Sequence, residues 1–102
     1  MVDKNKRLIL WDNKAKESLR KALAYIRKES PQGAQIVKNK IFENVKRLPG
    51  NPEMFETDKL KRDNDGSYRV FFAYSYRVAY RITEDVILIL RVRHTSQEPL
   101  EY

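Results

Sequence analysis

Tyr68-Arg69-Val70-Phe71-Phe72-Ala73, Tyr76-Arg77-Val78-Ala79-Tyr80-Arg81-Ile82 and Val86-Ile87-Leu88-Ile89-Leu90-Arg91-Val92-Arg93-His94 stand almost back to back near the end of the chain. β-Branched and aromatic residues dominate all three runs, as in half-buried strands. Tyr74-Ser75 and the stretch around Glu84-Asp85 leave room only for hairpin connections, so an antiparallel meander is expected. Side chains alternate across a sheet. Parity within each strand therefore separates its faces: Tyr68, Val70 and Phe72 form one set with Tyr76, Val78, Tyr80 and Ile82, and with Val86, Leu88, Leu90 and Val92. This set is expected to pack on helices. The opposite set contains all five arginines of the meander, Arg69, Arg77, Arg81, Arg91 and Arg93, together with Phe71, Ile87 and Ile89.

Upstream, the period changes from two to between three and four. Ala15, Leu19, Ala22, Leu23 and Ile26 fall on one face of a helix that Asp12 or Asn13 can cap, with Lys14, Lys21 and Lys28 on the wet side. Ser30-Pro31 ends this helix and opens another, because Ser caps well and Pro loses nothing at the first helical position. Ala34, Val37, Ile41, Val45 and Leu48 form the second stripe, which Pro49-Gly50-Asn51-Pro52 terminates. So short a link predicts an antiparallel helical hairpin. Leu8-Ile9-Leu10-Trp11 reads as a strand. Residues 53–67 are polar, with a short edge strand expected over Thr57 to Arg62 and a turn at Asn64-Asp65-Gly66. The expected fold class is therefore α+β, with the hairpin on one face of a mostly antiparallel sheet and residues 1–102 forming one domain.

Composition narrows the chemistry. A chain of 102 residues buries roughly two-thirds of its unfolded surface and needs no staples. With no cysteine and one histidine, disulfides, thiolate metal sites and His-rich metal centres are excluded, and neither metal nor cofactor is expected. Only Leu8 to Trp11 follow the basic N-terminus as an apolar run, too short for a signal peptide or a membrane span. A cytoplasmic protein is expected. The net charge is +7, from 21 basic and 14 acidic residues. Residues 1–50 carry 13 Lys/Arg against 5 Asp/Glu, and residues 51–102 carry 8 against 9. Helix lysines can serve solubility alone, or their field can attract nucleic acid or an acidic protein. The meander strands contain arginine and no lysine. Its planar fork suits bidentate contact with carboxylate or phosphate, either on a partner or on an Asp or Glu of the chain itself.

In order and spacing, the chain resembles the RelE/ParE superfamily of toxins from bacterial type II toxin–antitoxin and plasmid-stabilisation systems. The resemblance runs from the strand ending at Trp11, through a helix with Tyr25-Ile26 and a second helix ending in Leu48-Pro49, to Tyr76-Arg77-Val78-Ala79-Tyr80 and Leu90-Arg91-Val92-Arg93-His94. It implies a toxin that arrests growth and is silenced by an acidic antitoxin. One branch cleaves mRNA on the ribosome and the other poisons DNA gyrase. RNA cleavage needs a base, a cation at the phosphate and an acid. The resemblance to YoeB-like nucleases would give these roles to His94, Arg77 and Asp58. However, the lysine pair that RelE carries near Arg69 is missing. Thr95-Ser96-Gln97 stands where nucleases place an arginine or tyrosine. His94 also has a structural reading, capping the core rim beyond Val92. The ending Arg91-Val92-Arg93-His94-Thr95-Ser96-Gln97 resembles the ParE-like branch more closely. The expected function is thus gyrase inhibition, with a ribosome-dependent nuclease as the alternative and a non-toxic nucleic-acid-binding domain as a third reading. Arg69, Arg77, Arg81, Arg91 and Arg93 are the expected contacts to target or antitoxin.

Overall fold

The computed structural model describes residues 7–97 and 99–102. The basic segment 1–6 and Glu98 of the C-terminal tail lie outside the described residues. The chain runs β1 (Leu8–Trp11), α1 (Asn13–Glu29), α2 (Pro31–Arg47), β2 (Glu56–Thr57), β3 (Tyr68–Ala73), β4 (Tyr76–Ile82) and β5 (Val86–His94). The sheet order is β1-β5-β4-β3-β2. β1 lies parallel to β5 and the remaining pairs are antiparallel. The edge strand expected over Thr57 to Arg62 is only Glu56–Thr57. From Asp58 onward the backbone turns away, and Asn64 fastens it by donating to the carbonyls of Asp58 and Tyr68. Gly66, at φ 95°, supplies the left-handed residue of the expected turn.

Caps set the helix boundaries. The Asp12 carboxylate accepts the Lys14 N–H, and the Ser30 hydroxyl oxygen accepts the Gly33 N–H with Pro31 as first helical residue. Ser30 also donates its own N–H to Ile26, so one residue closes α1 and opens α2. Both helical stripes face the sheet as their periods require. Ala15, Leu19 and Leu23 meet Ile41, Val45 and Leu48 over a floor that includes Phe71, Val78, Tyr80, Ile87 and Ile89.

That floor corrects the expected faces. Ala73 pairs with Tyr76 across the two-residue connection, so Phe71 lies opposite Val78 and Arg69 opposite Tyr80. Directly opposed residues share a face. The odd residues of β3 therefore accompany the even residues of β4, and Val70 and Phe72 lie on the side away from the helices. β5 departs again. Ile82 pairs with Ile87 and Tyr80 with Ile89, yet Ala79 pairs with Arg91, so a bulge leaves Leu90 without a partner. Ile87 and Ile89 precede the bulge and Val92 follows it, and all three face the helices. Leu90, expected in the helix–sheet interface with Leu19, is half-buried and lies outside the core.

Candidate functional site

The arginine-rich face is organised around one buried carboxylate. Asp58 is 2% exposed and forms an ion pair with Arg77, whose side chain is 15% exposed. The Tyr102 hydroxyl donates to Asp58 Oδ2 at 2.6 Å, and the Leu60 N–H donates to Oδ1 at 2.9 Å. Burial alone pushes the Asp58 carboxyl up. Hydrogen bonds from Arg77, Tyr102 and Leu60 outweigh it and hold the group below the usual carboxylate range. Tyr102 responds in the opposite sense, since burial and then the neighbouring Asp58 charge raise its phenol.

The tail lies across the same face. Tyr102 N–H donates to the Leu60 carbonyl at 3.0 Å, and its own carbonyl accepts the Arg62 N–H at 2.7 Å. Arg91 donates to the Leu100 carbonyl at 2.7 Å and sits 4.5 Å from the centre of the Tyr102 ring. Its Nη2 is buried without a hydrogen-bond partner among the described residues. Burial lowers the Arg91 pKa.

The five arginines are therefore not one exposed set. Arg69 lies on the helix-facing side, contrary to expectation. The short β3–β4 turn puts it there, and it donates to the Gly66, Phe55 and Glu53 carbonyls. Arg77 and Arg91 hold the chain's own carboxylate and tail. Arg93 lies opposite Arg77. Arg81 is exposed, over the Tyr68 ring at 4.9 Å.

The three residues of the nuclease reading are only partly assembled. Arg77 and Asp58 are joined. His94 pairs with Tyr76 and meets its ring edge-on at 5.2 Å, which turns the imidazole toward the helix-facing side. A groove of about 290 Å3 at the end of the sheet is lined by Lys59, Phe72, Arg77, Arg93 and also His94.

Two open surfaces were missed in the sequence. Trp11 packs against Phe42 with ring centres 5.6 Å apart. With Leu19 and Leu23 they floor an apolar groove of about 350 Å3, rimmed by Lys16, Arg20 and Lys38. Phe42 continues the α2 stripe one position off its centre, which was the available signal. At the sheet edge, Leu8 and Leu10 of β1 are 64% and 48% exposed. Among the described residues, no helix is long and apolar enough to cross a membrane.

Comparison with known proteins agrees with this architecture. A solved structure described as the chromosomal ParDE TA system from P. aeruginosa aligns with a TM-score of 0.66, covering 88% of this chain and 97% of that chain. At 19% identity this likeness speaks for the fold. No curated protein matches the chain. The family model for the ParE toxin of the type II toxin–antitoxin system parDE matches residues 9–99. With strand, helical hairpin and meander all inside that match, the chain belongs to the ParE toxin family.

Proposed function

We propose that the protein arrests growth by inhibiting DNA gyrase and is silenced by an acidic antitoxin. Membership of the family implies a cognate antitoxin. The gyrase reading rests chiefly on the state of Asp58. A group in acid–base catalysis must be free to exchange a proton with the substrate, whereas this carboxylate is buried, ionised and committed to Arg77 and Tyr102. The His94 imidazole, turned to the other side of the sheet, leaves the acid–base pair of a nuclease incomplete.

The antitoxin reading moves away from the arginine face, much of which the chain covers itself. The Trp11–Phe42 groove, apolar below and cationic at its rim, suits an amphipathic helix with acidic flanks. Such a segment, disordered alone, would fold on binding, with an association rate that falls as salt rises. In this reading Arg81, exposed near the end of β4, is the meander arginine that meets a partner.

The alternative is a ribosome-dependent mRNA nuclease, favoured by a groove that Arg77 and His94 both border. Purified toxin assayed for gyrase cleavage-complex formation and for mRNA integrity on translating ribosomes separates the two. A response from gyrase alone, retained in His94→Ala, is the expected result. Site-specific cuts in ribosome-bound mRNA that vanish in His94→Ala would falsify the gyrase reading. Activity in neither assay would leave a binding domain.

A further inference from the structure

A third groove, of about 520 Å3, lies between α1 and the ends of β4 and β5. The gyrase reading makes no use of it. Lys21 and Tyr25 line it from α1, Tyr76, Arg93 and His94 from the strands, and Gln97 from the turn beyond β5. Its size lies within the range of small-molecule sites, roughly 300–1,000 Å3.

The lining is rich in hydrogen-bond donors. Ser96 N–H donates to His94 Nδ1 at 2.9 Å, so a neutral imidazole carries its proton on Nε2. Gln97 Oε1 accepts the His94 N–H at 2.8 Å, which leaves the Gln97 amide N–H groups as donors. The Tyr76 hydroxyl hydrogen-bonds to no described residue. Burial, and then the nearby Tyr25, raise its pKa, so it stays an O–H donor. No carboxylate is among the described lining residues. Glu17 approaches Lys21 from outside at 3.9 Å, with both side chains largely exposed, a contact that solvent screens.

Tyr25 adds a flat surface. It is 68% exposed, a large aromatic ring spent on solvent beside a cation and a row of donors. Acidic side chains would use the donors but leave the ring uncovered. A phosphate attached to a planar base uses both, through charge-assisted hydrogen bonds and stacking.

We propose that this groove binds a phosphorylated nucleoside, its base against Tyr25 and its phosphate among Lys21 and the donors of Tyr76, His94 and Gln97. The same chemistry is offered by a free mononucleotide and by a nucleotide unit of a single strand.

The test is an amide-resolved NMR titration of the full chain with adenosine 5′-monophosphate, adenosine, inorganic phosphate, a single-stranded hexadeoxyadenylate and a hexaglutamate peptide. The monophosphate is expected to shift groove residues saturably and more tightly than adenosine or phosphate alone. Tyr25→Ala and Lys21→Gln, both at exposed positions, should each weaken it by about tenfold or more. Tyr74→Ala, at the equally exposed tyrosine of the β3–β4 turn, should leave it unchanged. Tighter binding of the hexanucleotide assigns the site to single-stranded nucleic acid, and tighter binding of the monophosphate assigns it to free nucleotide. Three results overturn the proposal: no shift at the groove with either nucleotide, affinity untouched by Tyr25→Ala, or stronger perturbation of these residues by hexaglutamate. None of them bears on gyrase inhibition, which is read without nucleotide at this groove.

Discussion

The two sides of the sheet are both covered, but by different physics. On the helix-facing side, Phe71, Val78, Tyr80, Ile87 and Ile89 meet two helices through non-directional apolar packing. On the other side a short loop and the tail cover Arg77 and Arg91 through an ion pair, a phenol hydrogen bond and a ring over a guanidinium. The first arrangement tolerates changes that keep volume and hydrophobicity. The second depends on every member being present, because a buried charge that loses its partner keeps its desolvation cost.

That contrast predicts where damage should be largest. Asp58→Ala leaves the Arg77 guanidinium buried and unpaired, and should cost about 3–5 kcal/mol in chemical denaturation. Adding Arg77→Met to Asp58→Leu should recover most of that loss, since an apolar pair of similar volume is often neutral. If the double variant is no better than Asp58→Ala, the ion pair does more than satisfy itself.

The helix-facing side offers the next comparison. Ile89→Ala should cost about 2–5 kcal/mol through lost burial and the cavity left behind. Leu90→Ala, one residue along at the bulge and outside the core, should cost clearly less when both are measured in one denaturant series. Equal losses would mean that the bulge does not divide the strand as its pairing indicates.

A smaller effect comes from the tail. Tyr102→Phe removes one hydrogen bond to a charged acceptor and should cost about 1–3 kcal/mol. Its pH dependence has two limbs. The Asp58 pKa is lowered on folding, so its contribution is present above the unfolded value of about 3.9 and is lost as pH falls through the folded value. The Tyr102 pKa is raised, so its contribution holds below the unfolded value of about 10 and is lost as pH rises beyond it. Asp58→Asn should therefore flatten the acid limb of the stability profile, and Tyr102→Phe the alkaline limb. The smallest change is expected from Arg81→Ala, where an exposed cation over the Tyr68 ring accounts for under about 1 kcal/mol.

Elements and their boundaries were largely legible in the residues. The bounds of β1, β3, β4 and β5 follow from β-rich runs between turn signals, and both helices from apolar stripes closed by Asp12, Ser30 and Pro31. Periodicity works there because each element buries one stripe against the same core. The faces of β3 were less legible, since Val70 and Phe71 are both buried, one under the loop and tail and one under the helices. When both sides of a strand are covered, alternation of hydrophobic and polar residues no longer distinguishes them. The two-residue β3–β4 connection carried the missing information, because it pairs Ala73 with Tyr76 and so inverts the parity.

The candidate sites divide in the same way. The sequence alone was enough for an arginine-rich meander, a lone histidine at its end and an acidic residue near Leu60, since these depend only on residue identity and order. Whether the arginines face a partner or the chain itself depends on contacts across large sequence separations. Asp58 and Tyr102 meet at a separation of 44 residues, and Arg77 and Asp58 at 19. No local pattern encodes which carboxylate a guanidinium will find, and a bulge that shifts β5 by one residue reassigns faces beyond it. Residue order determined the layers and the family resemblance. Tertiary structure decided which charges are spent on the fold, because a buried ion pair forms only where packing brings both partners out of water together.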